Sequence, residues 1–91
     1  MTRTRKLLLA NGYRVVEGAS NEHGRLTYMH DANADNNYLL ALSHSLRYAG
    51  WQADDAVPPV YRMPSAGLMI EIEPGGAHTS GHYLQLIDTP R

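Results

Sequence analysis

The feature that most constrains this chain is a lone long amphipathic stretch at residues 35–49, closed by Gly50. Leu39, Leu42, Leu46 and Ala49 recur at steps of three and four, which sets them on one face of a helix, with Ser43, His44 and Arg47 turned away from it. Asn33, Asp35 and Asn36 each suit its N-terminal cap, and Gly50 suits the left-handed residue that ends it. A helix with one apolar face needs another layer to cover that face, and the flanking sequence supplies strands. Leu68, Ile70 and Ile72 alternate strictly with Met69, Glu71 and Glu73, the pattern of a half-buried strand. Residues 82–88 alternate less cleanly, and 74–81 form a long glycine-rich hairpin loop leading to them. Residues 13–17 and 25–30 are rich in β-formers and flank a turn-forming stretch at 18–24.

These segments predict an α+β fold: a small antiparallel sheet of about four strands in two hairpins, order (α)ββαββ, with one long helix packed on one face. The bracketed helix is residues 4–10, where Asn11-Gly12 suits either the cap of a short helix or the turn of a hairpin joining 6–10 to 13–17. The helix is the expectation. Pro58, Pro59 and Pro64 mark a loop between two better-patterned halves.

With 91 residues the chain has room for one core, so residues 1–91 are expected to form a single small domain. It has no cysteine, which excludes disulfides, thiolate metal sites and a cysteine nucleophile. The core must then be aliphatic and tyrosine-rich, since there are six Tyr, one Trp and no Phe. The apolar run at residues 7–10 is too short for a secretory segment, and no stretch approaches a membrane span, so a cytoplasmic protein without a membrane partner is expected.

A formal net charge of −1 gives no global pull toward nucleic acid. Arg3, Arg5, Lys6 and Arg14 all precede the first acid, Glu17, and read as a solvated basic start. A second helix at helix-turn-helix spacing is lacking, so a nucleic-acid partner is not expected.

Among candidate chemistries, His78 and His82 have the three-residue gap of some metal-ligand pairs, and His23, His30 or Asp31 are the nominees for a third ligand. On a glycine-rich loop that gap does not aim two imidazoles at one point, so no metal and no cofactor are expected. Asp31, Asp35, Asp54 and Asp55 are read as helix-capping or solvated acids rather than a general acid–base pair. No phosphate-cradling glycine loop, nucleophile elbow or H-E-x-x-H pair occurs.

Ala34-Asp35-Asn36-Asn37-Tyr38-Leu39-Leu40-Ala41-Leu42, followed far downstream by Gly81-His82-Tyr83, resembles the two catalytic boxes of papain-like and ovarian-tumour-type cysteine proteases. In those families a Cys opens a helix and a His begins a strand. Here the nucleophile's position falls on Asn37, and an amide cannot supply a thiolate, so the resemblance carries no hydrolytic activity to this chain.

The expectation is therefore a non-enzymatic protein-binding module, of the kind that phages and mobile elements use to block a host defence complex (anti-CRISPR-like). The alternatives are a small metal-dependent or hydrolytic enzyme using His78 and His82, and a structural subunit of a homo-oligomer. The expected partner-binding residues are Arg47, Tyr48, Trp51, Tyr61 and Arg62, because Trp, Tyr and Arg dominate interfaces and five of them fall close together here.

Overall fold

The structure, a computed structural model, describes residues 2–16, 24–32, 36–74 and 81–89. Two helices, α1 (Thr2–Ala10) and α2 (Asn36–Tyr48), accompany six strands: β1 (Arg14–Val15), β2 (Arg25–His30), β3 (Gln52–Ala53), β4 (Tyr61–Met63), β5 (Leu68–Glu73) and β6 (His82–Asp88). The strands form one antiparallel sheet in the order β1-β2-β6-β5-β4-β3.

This corrects the expected order (α)ββαββ with about four strands and one long helix. The sheet has two more strands, β3 and β4, and they lie in the stretch taken for a proline-marked loop. Strands of two and three residues are too short to show an alternating pattern, and only their pairing reveals them: β4 pairs with β5, Tyr61 opposite Ile70, and β3 with β4, Ala53 opposite Tyr61. The strand expected over 13–17 is likewise only Arg14–Val15 in the described residues.

Both helices end alike. In α1, the Gly12 amide donates to the Leu9 carbonyl and the Tyr13 amide to the Leu8 carbonyl. In α2, the Gly50 amide donates to the Arg47 carbonyl and the Trp51 amide to the Leu46 carbonyl. Each glycine has positive φ, +89° at Gly12 and +99° at Gly50, the left-handed cap that a side chain disfavours. Each is followed by a buried aromatic residue, Tyr13 or Trp51. The expected cap residues Asn33 and Asp35 at the other end of α2 lie outside the described residues.

Residues directly opposite in neighbouring strands share a face. The register therefore gathers Tyr28, His30, His82, Leu84, Leu86, Ile70, Ile72 and Tyr61 on one side. Leu8 of α1 and Leu42 and Leu46 of α2 are buried with the apolar members of that face, so both helices cover the same side. Leu39 packs at the rim, whereas Ala49 falls after the helix and is exposed. The side chain of Asn11 donates to Leu7 O (2.9 Å) and to Ser45 Oγ (3.1 Å), tying the end of α1 to α2. No helix among the described residues is long and apolar enough to cross a membrane.

Candidate functional site

Two corners of the fold hold networks of side-chain hydrogen bonds to irregular backbone. The first lies where β2 ends and β6 begins. His30 and His82 face each other across the two strands, and their rings stack with centroids 5.3 Å apart and planes at 14°. Tyr13, delivered by the cap of α1, meets both rings edge-on, and Tyr38 in the first turn of α2 lies 4.8 Å from His30. His82 is fully buried, while His30 and Tyr13 are nearly so.

The bonds fix the proton positions. The Ala32 carbonyl only accepts, so His82 Nδ1 is the protonated nitrogen that donates to it (2.8 Å), and Nε2 of the neutral ring accepts from the Tyr13 hydroxyl (2.6 Å). His30 Nδ1 accepts from the Ala32 amide (3.0 Å), which leaves Nε2 to carry the proton of the neutral ring. One residue, Ala32, is thus gripped through its N–H by His30 and through its C=O by His82. Burial, with Tyr61 adding repulsion, holds the Tyr13 hydroxyl protonated far above the usual tyrosine range. Gly12 closes against the pair, since a Cβ there would stand 2.6 Å from His30 Nε2.

These positions settle what His82 can do in the described structure. With no exposed surface and both ring nitrogens engaged, it braces the β2–α2 connection and presents no free base to a substrate. Stacked, nearly parallel imidazoles also send their in-plane lone pairs past one another instead of to a common point. Asp31 turns to solvent and pairs with Arg14 at 2.8 Å. Among the described residues no group of three or more potential ligands could hold a metal. His23 and His78 lie outside the described residues. Asn37 occupies the first turn of α2 and His82 opens β6.

The second corner runs from the end of α2 through residues 54–60, the connection between β3 and β4. Asp54 organises it: Oδ1 accepts the amides of Ala56 and Val60, both at 3.0 Å, and the Asp54 amide donates to the Val60 carbonyl (3.2 Å). Arg62 reaches Oδ2 at 3.5 Å. The Val60 and Ala56 amides, with Arg62 adding to them, hold the Asp54 carboxyl below the usual aspartate range. On this frame Val57 stands 97% exposed, and Tyr48, at the end of α2, is also 97% exposed.

The five expected partner-binding residues divide. Arg47, Tyr48 and Arg62 are exposed, with Arg47 Nε donating to Ser43 Oγ along the helix (3.2 Å). Trp51 and Tyr61 are buried in the core and present no side chain to a partner. They support the corner from beneath, Trp51 as the residue after the α2 cap and Tyr61 as the strand partner of Ala53. Asp54 and Val57 were missed, although an Asp opening a stretch that leads into Pro58-Pro59 is a turn signal. No pocket opens among the described residues. Set beside known proteins, the chain matches no family model, no curated protein and no solved structure.

Proposed function

We propose that this chain is a small protein-binding module that meets its partner through the end of α2 and loop 54–60. The observation that carries this reading is the full exposure of Tyr48 and Val57, the second on a loop already fixed by Asp54. Burying a valine side chain is worth roughly 1.5–3 kcal/mol, and a loop held before contact loses less entropy when it is fixed against a partner. Arg47 and Arg62, on the same stretch of chain, are exposed cations suited to a polar rim.

The partner class we put first is a host macromolecular complex met in the cytoplasm, as for the small inhibitors that phages and mobile elements direct at defence systems. The chain's small size, its lack of a recognised catalytic motif and its lack of cysteine support that choice. The test is affinity capture from the native host by the wild-type chain and by a Tyr48→Ala, Val57→Asp double variant, with thermal melts of both. The proposal expects a partner retained by the wild type and lost by an equally stable double variant. Equal capture by both chains overturns it.

A further inference from the structure

We propose that the His30–Ala32–His82 grip is an acid-operated release: a proton on His30 frees the Ala32 amide just beyond the end of β2. The two imidazoles respond to acid differently because they hold opposite ends of one residue. His82 grips the Ala32 carbonyl as a donor through Nδ1, and a second proton on its ring leaves that bond in place; the Tyr13 hydroxyl need only turn its hydrogen away from Nε2. His30 grips the Ala32 amide as an acceptor, through the Nδ1 lone pair that protonation consumes. Two N–H groups then face each other at the present 3.0 Å, and the bond is replaced by repulsion.

The surroundings offer the added charge little compensation. From the turn after α1, Tyr13 presents a ring edge and Gly12 a close backbone; from α2, Tyr38 presents its ring; from β6, His82 lies stacked. From β1, Arg14 is a like charge, committed to Asp31, whose side chain is 80% exposed. Among the described residues no carboxylate bonds to His30. The consequence of the release is local: Ala32 loses one of its two anchors while the sheet and both helix caps remain.

The test follows the Ala32 amide and the His30 ring nitrogens by NMR from pH 7.5 to 4.5, in the wild type and in His30→Asn. The Asn side-chain oxygen can occupy the place of Nδ1 and accept the same amide without titrating. The expected result is that Ala32 shifts in step with protonation of His30 Nδ1 and loses roughly two- to tenfold in exchange protection, the equivalent of one hydrogen bond. In His30→Asn the Ala32 amide should stay flat over the same range. An Ala32 amide that keeps its shift and protection in the wild type after Nδ1 is seen to be protonated overturns the proposal, whether or not the variant folds. So does a folded His30→Asn chain in which Ala32 titrates as before.

Discussion

At Ala32 an irregular stretch of backbone is gripped by two buried imidazoles, whereas at residues 54–60 a comparable stretch is gripped by one exposed carboxylate. Both corners use side-chain-to-backbone hydrogen bonds, yet their surroundings give the bonds different consequences. In the buried corner the bonds run to rings largely shut off from water, so removing one partner leaves the other poorly served. In the exposed corner water can replace whatever is lost, so the bonds set shape more than stability. Binding surfaces profit from the second arrangement, because a loop can be held in place and still offer its tip. Cores depend on the first.

The sharpest break of this comparison is His82→Ala. It removes a fully buried ring and leaves both the Tyr13 hydroxyl and the Ala32 carbonyl without their partner, which should cost about 2–5 kcal/mol in a urea melt. Asp54→Ala should instead leave the melt nearly unchanged and show only faster exchange at the Ala56 and Val60 amides.

A pair of buried tyrosines sharpens the same point. The Tyr13 hydroxyl is bonded to His82, so Tyr13→Phe should cost about 1–3 kcal/mol. The Tyr28 hydroxyl is buried with no partner among the described residues, so Tyr28→Phe should cost nothing, or stabilise by up to about 1 kcal/mol. Equal losses from the two changes would break the argument that satisfaction, and not mere burial, sets the value of a buried polar group.

How far the fold could be read in the sequence follows from the length of its elements. α2 and β5 each carry enough residues for a period to show, and their apolar faces are legible from Leu42, Leu46, Ile70 and Ile72. β3 and β4 have two and three residues, and they exist only through pairing, β4 with β5 and β3 with β4. The site was half legible for a related reason. Composition gathers Arg47, Tyr48, Trp51, Tyr61 and Arg62 as one set, but adjacent residues of a strand point to opposite faces, so Tyr61 and Arg62 cannot both meet a partner once 61–63 is a strand. The Tyr13–His82 pair joins residues 69 apart, and no local pattern announces such a contact.

Acid separates the two corners by their chemistry. The Asp54 carboxyl titrates below its ordinary value in the folded loop, so its contribution is fully present above the unfolded aspartate value of about 3.9 and is lost as pH falls through the lower folded value. Down to pH 5 the Ala56 and Val60 amides should therefore hold still in NMR spectra, independently of any movement of Ala32 with the His30 ring. Movement of all three together would mean that one global transition, not two local ones, governs both corners. Smallest of all should be the effect of Tyr48→Ala on stability, within about 0.5 kcal/mol, since a side chain this exposed contributes little to the folded state.

The most direct measurement of the central claim, that the exposed corner makes contact while the buried corner holds the fold, is hydrogen–deuterium exchange of the chain with and without its captured partner. The account predicts slowed exchange across residues 47–62 and no change at residues 30–32 on binding. Protection centred on residues 30–32, or on the strands β2 and β6 with 47–62 unaltered, would contradict it.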